Sequence, residues 1–225
     1  RSSAASDVYK RQNLYNKQTC RITPFSDARL LDKVVDAITV DKDGNVWVSA
    51  GGVIYRCDST AHIIKEYEVG NIQEGYAISN IYADQQKQLW AVGSRGIFRY
   101  EPETDSFFRY PPLGNGHTAY IMHQDSSGNY WIGTWGEGLW QFFPNAQKGG
   151  HYKKHNIAAL NNKETGVESI LFSIEQDDTF GYLWLLSYAG LHAFKYTDAG
   201  ILEKVDINHL VDTHMMYTRI CKDRE

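Results

Sequence analysis

Several things are scarce in this chain, and each scarcity excludes something. Its three cysteines, Cys20, Cys57 and Cys221, are scattered and odd in number, so they match neither a disulfide framework nor a metal-ligand spacing. Its eight histidines show no H-E-x-x-H or other ligand pattern, and His151 and His155, four apart in a strand-like stretch, do not form a metal pair. No metal site is expected. There is no G-x-S-x-G, no Cys-His constellation and no glycine-rich phosphate loop, so no cofactor and no catalytic residue is read. Positive charge is not in excess: 23 Lys and Arg stand against 27 Asp and Glu, a formal net charge of -4. Without a basic footprint, nucleic acid is not an expected partner. No window is long and apolar enough to span a membrane, and no stretch keeps a helical period over three turns.

What is present is aromatic and turn-rich. Aromatics make up 13% of the residues, with 15 Tyr, 6 Trp and 19 Gly against 5 Pro. That mixture suits short strands joined by tight turns. One seven-residue figure recurs: DKDGNVW (41–47), DQQKQLW (84–90), DSSGNYW (125–131) and DTFGYLW (178–184). The tryptophans Trp47, Trp90, Trp131 and Trp184 are 43, 41 and 53 residues apart. An Asp stands six residues before each (Asp41, Asp84, Asp125, Asp178), and Asp223 opens a fifth copy. A period of 40–45 residues signals a repeat architecture.

Each unit reads as four strands. An apolar or alternating run leads to the Asp, a turn follows with Gly44, Gly128 or Gly181 (Lys87 in the second copy), and a short strand carries the Trp. A second turn, a third strand and a more polar fourth strand close the unit. The Asp is expected to cap the turn by accepting backbone N–H bonds. The Gly supplies positive φ, and the Trp wedges between stacked sheets. A calcium role for Asp41, Asp43 or Asp125 is disfavoured, because the oxygen run and closing Glu of a calcium loop are missing.

Four strands per unit without helices predict an all-β β-propeller with four complete four-stranded blades and partial blades at both ends. The blades are expected at 34–69, 76–112, 118–155 and 168–207, and the inner strand of the next at 215–225. Residues 13–25 read as the remnant of a preceding blade. Half-units at both ends imply a piece of a larger ring, with blade faces that neighbours should cover. The opening RSSAASDVYKRQ is set apart: DVYKRQ back-translates readily to a transposon-end sequencing adapter, so residues 1–12 are expected to be a non-native scar. The long third step has its excess in 147–169, a rim connection that is either a binding insertion or a tolerated surface loop.

The pattern I-x-x-D-x-x-G-x-[LV]-W-[IV]-[GS]-[TS], followed by G-[LVI]-x-x-[YF], resembles the two-component regulator propeller repeat. IMHQDSSGNYWIGTWGEGLWQF (121–142) and ITVDKDGNVWVSAGGVIYRCD (38–58) carry the likeness best. Lys87 departs from it in the second copy, and Glu175 departs in the fourth, where the others have Ile or Met. The resemblance covers roughly residues 34–225. It implies a propeller of about seven blades, often two in tandem, forming the periplasmic sensor region of a hybrid histidine kinase, mostly of Bacteroidetes. It also implies downstream sensor domains, a membrane helix and a kinase, a dimer in the parent receptor, and an oligosaccharide or other small ligand. Asp-box, WD and kelch repeats fit less well. The streptogramin-lyase-like propeller is similar in strand pattern, so a secreted lyase or glycoside-cleaving enzyme stays open, as does a protein-interaction scaffold.

Ligands of propellers generally bind over the central channel, where the turns between second and third strands meet the links into each first strand. Those positions give Arg95, Trp135, Glu137 and Tyr188 from the turns, and Glu74, Tyr76, His117 and Glu168 from the links. Trp135 stands out because it lies outside the repeating Trp column. An exposed indole there is a stacking surface for a sugar ring, or else a rim residue packed on the next blade. Arg95 and Glu137 are either hydroxyl or carboxylate partners or solvated turn charges. The enzyme reading requires a His and a Glu or Tyr facing each other within hydrogen-bond reach of one substrate atom.

Overall fold

The computed structural model describes residues 2–6, 12–16, 21–24, 27–30, 33–69, 77–145, 149–160, 170–198, 200–211 and 219–221. Strands β1 (Ser2–Ser6), β2 (Gln12–Asn16) and β3 (Arg21–Pro24) pair antiparallel in that order. Four four-stranded antiparallel meanders follow. The first blade is β4 (Val35–Val40), β5 (Val46–Ala50), β6 (Val53–Cys57) and β7 (Ile63–Glu68). The second is β8 (Ile78–Ala83), β9 (Leu89–Gly93), β10 (Gly96–Glu101) and β11 (Ser106–Arg109). The third is β12 (Ala119–Gln124), β13 (Tyr130–Thr134), β14 (Leu139–Pro144) and β15 (Gly150–His155). The fourth is β16 (Leu171–Gln176), β17 (Leu183–Ser187), β18 (Gly190–Tyr196) and β19 (Leu202–Val205). Apart from one 3-10 turn, Ala158–Leu160, the described residues hold no helix, and none is long and apolar enough to cross a membrane. The all-β, four-bladed propeller pattern predicted from the repeat is the observed one.

The recurring figure folds as one hydrogen-bonded device. Asp41 accepts the backbone N–H groups of Asp43 and Asn45 on Oδ1, at 2.9 Å each, and the indole N–H of Trp47 on Oδ2 at 2.8 Å. Asp84 does the same for Gln86, Gln88 and Trp90, and Asp125 for Ser127, Asn129 and Trp131. The carboxylate therefore caps the turn and also anchors the tryptophan six residues on, which explains why the two recur together. Gly44 and Gly128 sit at φ +84° and +86°. Lys87 takes the same left-handed conformation at φ +63°, with the Cβ strain that Gly avoids.

The fourth copy corrects the sequence register. Asp177, not Asp178, holds the turn: it accepts the N–H of Phe180 at 2.6 Å, of Tyr182 at 3.2 Å and of the Trp184 indole at 2.9 Å. This turn carries one extra residue, so its Asp–Trp separation is seven rather than six, and Gly181 keeps its positive φ of +68°. In the corrected register Ile174 aligns with Ile38, Ile81 and Met122, so Glu175 is no departure. It aligns instead with Thr39, Tyr82 and His123.

The chain divides into two compact units, Arg1–Arg109 and Tyr110–Glu225. In the first, Trp47 is buried among Tyr67, Tyr100 and Phe107, with ring centroids 4.8–6.0 Å away. Removing such a side chain costs about 3–5 kcal/mol. A polar layer flanks it. Asp105, held at φ +46° in the β10–β11 turn, accepts bonds at 2.6 Å from Lys65 Nζ, Tyr67 Oη and Tyr100 Oη, and pairs with Arg56 at 3.3 Å. One turn of the second blade thus ties down four side chains: Arg56, Lys65 and Tyr67 of the first blade's third and fourth strands, and Tyr100 of its own third strand.

In the second unit Trp131 packs on His155 and Tyr196, at 5.2 and 5.0 Å. A Cβ added at Gly133 would lie 2.8 Å from Leu171 Cβ, so β13 needs glycine where β16 passes. Gln141 links Asn129, His155 and Tyr196 in one network. Most of the expected strand at 215–225 lies outside the described residues. Within 219–221, the backbone N–H and C=O of Ile220 both bond Ser173 Oγ at 3.3 Å.

Candidate functional site

The site begins with two backbone features that the repeat places side by side. In every blade the first strand carries a β-bulge against the second, leaving one residue unpaired: Asp36, Ser79, Tyr120 and Phe172. A bulge re-aims its side chain out of the pleat. Immediately after each second strand, beside that bulge, the turn opens with Gly51, Ser94, Trp135 and Tyr188. The blade fixes where these residues sit but not what they are. The first two blades put Asp36 beside Gly51 and Ser79 beside Ser94. The last two put Tyr120 beside Trp135 and Phe172 beside Tyr188.

These four aromatics form a continuous row in the second unit. Trp135 lies 5.4 Å from Tyr120, Tyr120 lies 6.4 Å from Phe172, and Phe172 lies 4.6 Å from Tyr188 in an edge-on arrangement, all centroid to centroid. The ends of the row are open: Trp135 is 55% exposed and Tyr188 71%. The Trp135 turn is pinned by its own N–H bonding the Thr118 carbonyl at 3.1 Å. A row of rigid rings, anchored on strands and open to solvent, offers π-faces to a ligand with little ordering cost. Trp135 and Tyr188 were legible from the turns. Tyr120 and Phe172 were not among the sequence candidates. Their signal was an aromatic at the second position of the first strand, where the other copies write Asp and Ser.

The remaining candidates separate from this row. Glu137 lies two residues after Trp135 but turns toward the outer strand. Its Oε2 is 3.1 Å from Lys154 Nζ, its carbonyl accepts the Trp140 indole N–H at 3.1 Å, and its Oε1 is 3.9 Å from His117 Nδ1. His117 also leans on the Trp140 ring at 5.8 Å. Glu137 and His117 are therefore neighbours, in a side-chain cluster that includes Lys154 of β15. Their separation exceeds a hydrogen bond. Arg95 belongs to the first unit; it is half-buried, and its carbonyl accepts Arg109 Nε at 3.1 Å. Glu74, Tyr76 and Glu168 lie outside the described residues; of the 147–169 insertion, residues 149–160 are described, as β15 and the 3-10 turn that follows it. A second His–Glu pair, absent from the sequence candidates, joins adjacent first strands: His123 Nδ1 is 3.8 Å from Glu175 Oε2. Among the described residues no group of three His, Cys, Asp or Glu could hold a metal ion.

No protein-family model matches the chain, and no curated protein matches it. Solved structures do. The chain is similar to the extracellular domain of BT4673 from B. thetaiotaomicron, named as a one-component system, with a TM-score of 0.73 at 18% identity over 100% of this chain and 29% of that one. It is similar to the extracellular domain of BT3049 from the same organism, named as a hybrid two-component system, with a TM-score of 0.58 at 17% identity over 84% of this chain and 27% of that one. It is also similar to virginiamycin B lyase from Staphylococcus aureus, in a catalytically inactive H270A form with quinupristin, with a TM-score of 0.65 at 16% identity over 88% of this chain and 64% of that one. The chain thus spans under a third of each of the two B. thetaiotaomicron extracellular domains and about two thirds of the lyase, and at these identities the likeness establishes the fold alone.

Proposed function

We propose that this chain is part of the extracytoplasmic, ligand-recognising propeller of a two-component-type sensor, and that its ligand is a carbohydrate stacked on the Trp135–Tyr120–Phe172–Tyr188 row. The row itself carries the reading. Its four aromatics occupy positions where the same fold accepts Gly, Ser and Asp, so folding does not require them. Pyranose rings present apolar C–H faces that stack on indole and phenol, while hydroxyls stay hydrated. The likeness to extracellular domains of B. thetaiotaomicron sensors supports the sensor role and an extracytoplasmic place. Signalling across a membrane, and a dimeric receptor, belong to the parent protein in this reading.

The test is calorimetric titration of the whole chain with a panel of neutral oligosaccharides, repeated with Trp135→Ala and Tyr188→Ala. A binder whose affinity falls at least tenfold in each variant, with unchanged urea midpoints, supports the platform. A panel without binders, or binding indifferent to both variants, overturns it. The two His–Glu pairs at 3.8 and 3.9 Å favour a second reading, a lyase-like or glycoside-cleaving propeller. Under that reading a bound oligosaccharide is turned over, and His123→Ala or His117→Ala abolishes turnover while leaving binding intact.

A further inference from the structure

The four rings of the aromatic row do not lie in one plane. Trp135 and Tyr120 are tilted by 56°, Tyr120 and Phe172 by 78°, and Phe172 and Tyr188 by 82°. Trp135 and Tyr188, at the ends, are exposed, and Tyr120 and Phe172 between them are half-buried. The tilt comes from where the rings are attached. Tyr120 and Phe172 hold the bulge positions of adjacent blades, and Trp135 and Tyr188 open the turns beside those bulges. Each step of the row therefore crosses from strand to turn, or from one blade to the next. The fourth blade can also lay two rings flat: Phe180 and Tyr182, around its first turn, stack within 19° of parallel.

These steps and tilts set what kind of chain can follow the row. Neighbouring centroids are 4.6–6.4 Å apart, about the length that one hexopyranose adds to a glycan, so consecutive sugars fall on consecutive rings. A pyranose stacks by laying its C–H face on a π-face. In an equatorially linked chain the bonds entering and leaving each sugar lie near its mean plane, and the chain is a flat ribbon. A ribbon needs coplanar rings beneath it. Here a ribbon lying on one ring meets the next at 56° or more. An axial bond leaves the sugar at an angle to that plane, so each sugar is turned relative to the last and the chain coils. Such a chain can lay one C–H face on one ring and the next, turned, face on its neighbour.

We propose that the row selects a coiled glycan chain, longer than a disaccharide and joined by axial bonds as in α-1,4-linked glucose, over a flat, equatorially linked one. This rests on the carbohydrate reading above and adds to it the linkage geometry of the ligand. Length matters because the open rings are the two ends of the row. A short sugar engages one of them, whereas a longer chain reaches both, and its second contact is intramolecular.

The experiment titrates the whole chain with maltose, maltotetraose and cellotetraose by calorimetry. The two tetrasaccharides share monomer and bond position and differ only in anomeric configuration. Maltotetraose should bind at least tenfold more tightly than cellotetraose, and at least tenfold more tightly than maltose. Trp135→Ser and Tyr188→Ser install the residue of the matching second-blade turn, Ser94. Each should weaken maltotetraose at least tenfold but maltose by no more than about twofold, since maltose still finds the other end. Should either variant fail to fold, the three sugars on the unaltered chain still decide. Cellotetraose or maltose binding as tightly as maltotetraose, or maltotetraose failing to bind where another neutral oligosaccharide does, overturns the inference and leaves the platform standing. No binding by any neutral oligosaccharide overturns the platform reading itself, and the inference with it.

Discussion

The choice between Asp177 and Asp178 is the sharpest test of how the repeat is built. By spacing alone, Asp178 is the fourth copy's capping residue. By geometry, Asp177 is, and Asp178 is an exposed turn residue. Asp177→Asn keeps size and one acceptor oxygen, but turns an amide N–H toward one of the donors that the carboxylate now receives: Phe180 N–H at 2.6 Å, Tyr182 N–H at 3.2 Å and the Trp184 indole at 2.9 Å. Charge-assisted bonds contribute roughly 1.5–3 kcal/mol each, non-additively. Losing the charge and mismatching one donor should therefore cost about 2–3 kcal/mol. Asp178→Asn should stay within about 0.5 kcal/mol, as surface changes do. With a urea m-value of about 2–3 kcal/mol/M for a chain of this size, Asp177→Asn moves the midpoint down by about 1 M, while Asp178→Asn leaves it in place. Tryptophan fluorescence follows the transition directly. The pH dependence provides a second arm. Burial raises the Asp177 pKa, but the Phe180 N–H and the Trp184 indole outweigh it, and the net value is lowered. A lowered folded-state pKa adds stability above the unfolded value of about 4 that is lost as pH falls through the folded one. The gap between wild type and Asp177→Asn should therefore close in acid. If Asp178→Asn proves the costlier variant, the structural register is wrong and the sequence spacing right.

Two further outcomes follow from the same geometry. Lys87→Gly relieves a β-carbon at φ +63° in a turn where all three sister blades use glycine, and should raise stability by up to about 1 kcal/mol; an unchanged or lower urea midpoint would show the left-handed position to be unstrained. His155 is buried between Trp131 and Gln141, and burial, with Lys153 next, lowers its pKa from 6.5 to about 4. The unfolded chain then takes up the proton first, so stability is fully present above about 6.5 and falls by up to about 1.4 kcal/mol per pH unit toward 4. His155→Gln should flatten that part of a pH–stability curve, and a curve equally steep in the variant would refute the assignment.

How much of the molecule was legible follows from what repeats and what does not. Strand order, blade number and the Asp–Gly–Trp turns were readable because each copy solves the same local problem: cap a hairpin, then wedge a tryptophan. What the copies share is structural, so the repeat could reveal the scaffold but not the ligand. Function had to be sought where copies disagree. Trp135 could be seen as an extra tryptophan outside the column. Tyr120 and Phe172 could not, because a bulge is a register event between two strands, and its residue looks like any other strand aromatic until the pairing is known. The fourth blade shows the converse. One inserted turn residue shifted the apparent alignment, made Asp178 look like the cap, and made Glu175 look like an intruder in an apolar slot. With the pairing in hand, His192 becomes visible as the odd residue in a third-strand series, opposite the residue after each repeat Trp, that otherwise reads Tyr55, Phe98, Trp140. A fold made of near-copies is thus its own control: each position has three counterparts, and a side chain that departs from all of them without harming the blade is free to serve a ligand. By that criterion the second unit, with its aromatic row, is where recognition should be sought, whereas the Gly51, Ser79 and Ser94 positions of the first unit have small side chains of low contact area.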